Sequence, residues 1–234
     1  MEDQPLYAQP VAEVSLEART QFLQQVALRT LGGLALTALV AVFSTLFVAP
    51  VVFRGGTWAI LGVVYGSFLG AQFLGRKLVY GNAKAAGFAV GATLQGIALG
   101  FLLLIAIVTT APGEGMALIG YSMLMVVLSV AAMAVYVTAE KRDFSMVRAG
   151  LTMLTIPMLV LMGLQLVIPM NGMAGVAISG VFLAVSVGAL LYRLNTIVHE
   201  FPVTMATEAA FELTLGIVVF FWNLLSFFLR MKRR

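Results

Sequence analysis

Seven stretches of this chain are apolar enough and long enough to cross a bilayer as α-helices. They are Leu31 to Phe53, Thr57 to Leu74, Ala86 to Ala111, Met116 to Thr138, Met146 to Ile168, Met173 to Tyr192 and Met205 to Leu229. A helix needs ~20 mostly apolar residues to span the hydrocarbon core, and lipid offers no partner for backbone N–H and C=O groups, so each crossing must satisfy its own. Composition agrees: 61% of residues are hydrophobic and only 10% charged, against roughly 25% charged in soluble domains. Mean hydropathy is +1.03. The gaps between runs carry turn chemistry, as at Arg54-Gly55-Gly56, Gly75 to Lys84, Pro112-Gly113-Glu114-Gly115, Ala139 to Ser145, Pro169-Met170-Asn171-Gly172 and Arg193 to Thr204. The expectation is an all-α membrane protein of seven transmembrane helices.

The net charge of +4 does not point to nucleic acid, because the basic residues sit in short clusters between apolar runs, where the positive-inside rule and lipid headgroups account for them. With the N-terminus cytoplasmic, Arg19, Arg29, Arg76, Lys77, Lys84, Lys141, Arg142, Arg148 and Arg193 fall inside and only Arg54 falls in the opposite loops. Arg230, Lys232, Arg233 and Arg234 are the anomaly, since a seventh crossing exports them. The chain has no cysteine and one histidine, His199, which excludes disulfides and thiolate sites and leaves little for transition-metal chemistry. No cofactor, metal-ligand set or catalytic group is expected. The first thirty residues lack the basic start and short apolar run of a cleaved signal peptide. Residues 1–14 read as a flexible N-terminal tail, and 15–234 as one membrane domain. From Ser15 a helical pattern begins, either as an interfacial helix or as the first turns of the first crossing.

The last run constrains the arrangement of the others. Ionisable groups close to lipid are costly unless they face protein or water, yet Arg193, Asn195, His199, Glu200, Glu208 and Glu212 crowd its start. At 3.6 residues per turn, Glu208, Glu212, Gly216, Val219, Asn223 and Ser226 form one stripe, with Phe220, Phe221, Leu225 and Phe228 on other faces. Such a helix belongs among other helices. Close helix contact is also foreseen at three GxxxG pairs, Gly66/Gly70, Gly87/Gly91 and Gly96/Gly100, with Gln95 as a polar group on the third crossing. Trp58, Tyr80, Tyr121 and Trp222 read as interface anchors, and the thirteen methionines as adaptable packing.

Four stretches, taken in order, resemble the Bax inhibitor-1 family, also called the transmembrane Bax inhibitor motif family, and bacterial members in particular. They are FLQQVALRTLGGLALTALVAV (Phe22 to Val42), ATLQGIALGF (Ala92 to Phe101), EKRDFSMVRAGL (Glu140 to Leu151), and YRLNTI (Tyr192 to Ile197) followed by FFWNLLSFF (Phe220 to Phe228). The resemblance implies six helices surrounding a central C-terminal one, in a bacterial inner membrane. It also implies two kinds of activity: a pH-responsive leak of calcium or other cations, and binding to or restraint of a membrane-anchored AAA protease or larger membrane complex. In the leak, two aspartates share a proton and gate the pore, because close carboxylates cannot both ionise cheaply.

This chain departs from that pattern. Its only aspartates are Asp3 and Asp143, and the two positions are taken by Arg193 and Gly216. The substitute expected is a charge lock in which Arg193 pairs with Glu212 or Glu208; the competing reading leaves these groups solvated at headgroup depth. Asn195, Asn223 and Gln95 are secondary polar candidates. A serine–histidine pair of Ser67 and His199 can be written down, but a membrane serine beside glycine is an ordinary packing feature. The Glu140 to Asp143 run reads as a solvated, mutually paired turn. The two functional classes, a cation leak and a non-conducting regulator, both remain open at this point.

Overall fold

A computed structural model of the protein describes residues 10–139, 146–154 and 172–232. All regular structure among them is helical. Helix α1 runs Leu16–Arg54, α2 Gly56–Val79, α3 Lys84–Thr109 and α4 Glu114–Ala139; α5 is described over 146–154; α6 runs Gly172–His199 and α7 Ala206–Lys232. Six of these are long and apolar enough to cross a membrane. Most of the run Met146 to Ile168, and the turn from Glu140 to Asp143, lie outside the described residues.

The helix from Ser15 is continuous with the first crossing. Ser15 caps it, its Oγ 3.4 Å from the Ala18 N–H, with Glu17 in the first turn where the helix dipole favours a carboxylate. Near its far end α1 widens into a π-helical stretch, Ser44–Val48, just before Pro50, which can donate no backbone hydrogen bond. Gly56, at φ +81°, makes the sharp turn into α2. The expected break from Arg193 to Thr204 is shorter than the apolar run suggested: α6 continues to His199, so Arg193, Asn195 and His199 are helical. The first charged residue ended the hydropathy signal, not the helix, because Leu194, Ile197 and Val198 still bury an apolar face there.

Helix α7 occupies the centre. Of its most apolar window 67% is buried, against 11% for α4, and it packs on α1, α3, α4, α6 and the end of α2. Phe220, Phe221 and Leu225 are buried, and so are Glu208 and Gly216 of the polar stripe, while Glu212, Val219, Asn223 and Ser226 of that stripe, and Phe228, are half-buried. Trp222 lies half-buried, edge-on to Phe68 of α2 with ring centroids 6.0 Å apart. Arg230 and Lys232, expected in a loose tail, belong to the last turn of α7. Lys232 Nζ is 2.5 Å from a Glu114 oxygen, so α7 runs the length of the bundle to the start of α4.

Contact between α1 and α3 shows how such helices associate without a hydrophobic driving force. Thr37, Ser44 and Thr45 of α1 direct hydroxyls at the Ala92, Ile97 and Gly100 carbonyls of α3, at 3.2, 3.0 and 3.1 Å. Gly96 admits that approach: a Cβ there would lie 2.7 Å from the Thr37 carbonyl oxygen. Of the first GxxxG pair only Gly70 faces α3, where a Cβ would lie 3.1 Å from Leu94 Cδ1; Gly66 has open space where a Cβ would be. The leading segment is also tied down at its end. Val11 is fully buried, and its N–H donates to the Phe201 carbonyl at 3.0 Å beside a Pro10–Pro202 bridge.

Replacing Gly96 with Ala should lower stability by about 1–3 kcal/mol through overpacking. Gly32→Ala, where nothing lies within 4 Å, should be neutral or stabilising by up to ~1 kcal/mol from helix propensity. Thermal unfolding of the two purified variants in detergent checks the contrast.

A charged cluster at the start of the central helix

The register of α7 is set by an aromatic side chain. Phe211 is buried in a slot between Gly75 of α2 and Gly91 of α3; a Cβ on Gly75 would come within 3.0 Å of the Phe211 ring, and one on Gly91 would collide with it. Phe88 closes the slot edge-on, with centroids 6.1 Å apart. With Phe211 seated beside Gly75, the next residue of α7, Glu212, reaches Arg76, the next residue of α2. One turn earlier, Glu208 reaches the start of α3.

Glu212 is held from two sides. Arg76 Nη2 lies 2.7 Å from Glu212 Oε2, and Arg193 Nη1 lies 3.1 Å from the same oxygen while donating to the Glu212 backbone carbonyl at 2.8 Å. The carboxylate side chain is 13% exposed. Two guanidiniums therefore share one carboxylate oxygen, and α2, α6 and α7 meet there. Glu208, only 2% exposed, takes a different partner, Lys84 Nζ at 2.6 Å, and its Oε2 has no hydrogen-bond partner. Of the two expected pairings for Arg193, the structure brings it to Glu212 and sends Glu208 elsewhere. Neither carboxylate is freely solvated. Beside the cluster, Arg29 donates to the Thr207 hydroxyl at 2.6 Å.

Two of the secondary polar candidates, Asn223 and Gln95, lie apart from this cluster. Asn223 follows Glu212 by eleven residues, about 16 Å further along α7, and Gln95 is as far along α3 from Lys84, at 1.5 Å per residue. Gln95 is 1% exposed, and neither amide atom has a hydrogen-bond partner among the described residues. Asn195 is buried, with its Oδ1 unpartnered. His199 Nε2 approaches the Val137 carbonyl at 3.2 Å, which makes that nitrogen the donor and ties α6 to the end of α4. Ser67 is buried in the middle of α2.

Arg193 and Gly216 are in contact. A Cβ at Gly216 would sit 3.0 Å from Leu190 Cδ1 and 3.3 Å from Arg193 Cδ, so the arginine stem lies across the glycine and carries its guanidinium back to Glu212. A cavity of about 1070 Å³ opens beside this contact, with Arg76, Lys77, Arg193 and Glu212 on its wall. Tyr80, just beyond α2, has its phenol pushed up to about 12, by partial burial first and then by the Glu212 charge. It faces the cavity as a neutral hydroxyl.

The family model described as inhibitor of apoptosis-promoting Bax1 matches residues 19–234. The chain belongs to the Bax inhibitor-1 family. No curated protein and no solved structure matches it. In this Bax inhibitor-1 family member, the two positions where the resemblance leads one to expect aspartates touch each other, and an arginine with a glycine fills the space. Arg76 and Lys84 were not anticipated as partners; the only sequence signal was their position as cations flanking the short turn between two glycine-bearing helices.

Pairing can be measured by a double-mutant cycle on thermal unfolding in detergent. Arg193→Gln and Glu212→Gln should show a coupling of about 1–2 kcal/mol, within the range for contacting charged residues. Arg193→Gln and Glu208→Gln should be nearly additive.

Proposed function

We propose that this protein is a membrane cation pathway held shut by an arginine bridge. The observation that carries it is the grip of Arg76 and Arg193 on Glu212, at the mouth of a cavity and on the helix that runs through the bundle. A carboxylate on a pore-side helix is a natural ligand for a passing cation, since calcium takes oxygen donors. Here its oxygen is occupied by two fixed positive charges, which neutralise it and repel a cation. Opening the route means separating α6 or α2 from α7 at this point. Arginine keeps its charge across the physiological pH range, so the shared-proton response of an aspartate pair has no counterpart at Arg193.

A second reading draws on the same electrostatics. Three cations and one carboxylate on the cavity wall leave a positive field, unsuited to calcium. The protein would then act without conducting, as a regulator that binds a membrane-anchored AAA protease or another membrane complex.

Purified protein in calcium-loaded vesicles separates the two. The natural chain should retain calcium at mildly acidic and neutral pH. The Arg76→Gln, Arg193→Gln double variant should release it at least about tenfold faster, since removing charge-assisted contacts worth about 1.5–3 kcal/mol lowers a barrier by one or two decades. A folded double variant that stays as tight as the natural chain sinks the arginine lock and leaves the regulator reading, for which a stoichiometric partner should copurify from native membranes.

A further inference from the structure

We infer that the cavity beside α2 and α6 is a binding site for the phosphate of an anionic phospholipid. Its wall carries Arg76, Lys77 and Arg193 against a single carboxylate, Glu212. Glu212 neutralises one of those charges and leaves two in excess. Lys77 forms no ion pair among the described residues, and Arg76 meets Glu212 through Nη2 alone, with its other guanidinium N–H groups uncommitted. Thr196, also on the wall, has a buried hydroxyl with no hydrogen-bond partner. Arg76 and Lys77 are exposed at the end of α2, where an anionic headgroup can reach them, and a phosphate supplies both the missing negative charge and acceptors for these donors.

The remaining wall identifies the rest of the ligand. Phe73, Leu151 and Ile197 make much of it apolar, and Phe73 is largely exposed on the outer side of α2, one turn before Lys77. A headgroup seated at the cations therefore has an apolar exit for its acyl chains along the lipid-facing side of α2. A free phosphate ion would leave that surface uncovered. A zwitterionic headgroup would bring its own cation to a site already in positive excess. Basic pockets between transmembrane helices are suited to anionic headgroups for these reasons.

This site shares Arg76 and Arg193 with the proposed lock but does not depend on it, and Lys77 separates the two because it makes no contact with Glu212. The test is native mass spectrometry of delipidated full-length protein in detergent, titrated with phosphatidylglycerol, phosphatidylcholine or inorganic phosphate. One phosphatidylglycerol should be retained in preference to phosphatidylcholine. Lys77→Gln should weaken that binding about fivefold, the scale of one basic side chain near a membrane surface, while leaving calcium retention in vesicles unchanged. Arg54→Gln, an exposed cation at the end of α1, beside the opposite end of α2 from Lys77, should leave binding as it is. Equal retention of the two lipids, or an unaltered Lys77→Gln, overturns the assignment. Displacement of phosphatidylglycerol by inorganic phosphate at comparable concentration also overturns it, in favour of a small-anion site.

Discussion

A carboxylate largely withdrawn from water inside a helix bundle must be met by a cation, because removing an ion from water costs several kcal/mol that only close pairing offsets. Helix α7 brings two such groups into the bundle, Glu208 and Glu212, and the arrangement of its neighbours follows from where their partners come from. Lys84 starts α3, Arg76 ends α2, and Arg193 lies near the end of α6. The charged ends of three helices are thus drawn to the first two turns of the central one, at one end of the bundle. At the other end, Lys232 and Glu114 join α7 to α4.

Between those ends, the helices are held by shape and by hydroxyl groups. Lipid tails are as apolar as leucine, so burying apolar side chains gives little preference for one helix neighbour over another. The α1–α3 contact gains that preference from Thr37, Ser44 and Thr45 donating to carbonyls across the gap, and from glycines that bring the backbones near enough. The Phe211 slot works in the same way, with small residues on two helices accepting a large one from a third. This steric fit and the ion pair agree in register: with Phe211 in the slot, Glu212 lies opposite Arg76.

Much of this was legible in the sequence, and the limits have physical causes. Apolar runs of membrane length and the polar stripe on the last of them pointed to an enclosed terminal helix. A pairing of Arg193 with one of the two glutamates of α7 was readable because they flank the same short connection, so any antiparallel α6–α7 hairpin brings them near each other; which of Glu208 and Glu212 it takes was not. Arg76 lies 136 residues from its partner, and nothing local in the chain encodes that meeting. Hydropathy placed the end of α6 too early, since it responds to the first charge and not to the buried Leu194, Ile197 and Val198 that keep the helix going. The π-helical widenings at Ser44–Val48 and Ala71–Gly75 had no sequence signature beyond a proline near the first. The packing of Trp222 on Phe68 of α2 had no local signal either, since the two rings lie far apart in the chain.

Val11, anchored on the Phe201 carbonyl, gives the leading segment a mechanical link to the loop between α6 and α7. Phe201 itself stands on the cavity wall, and the loop joins the helix of Arg193 to the helix of Glu212. Any load hung on the amino end, whether an affinity handle, a fluorescent fusion or a docked neighbour, is therefore transmitted by a fully buried valine to the hinge of the charged cluster. Reporters for this molecule are better attached elsewhere.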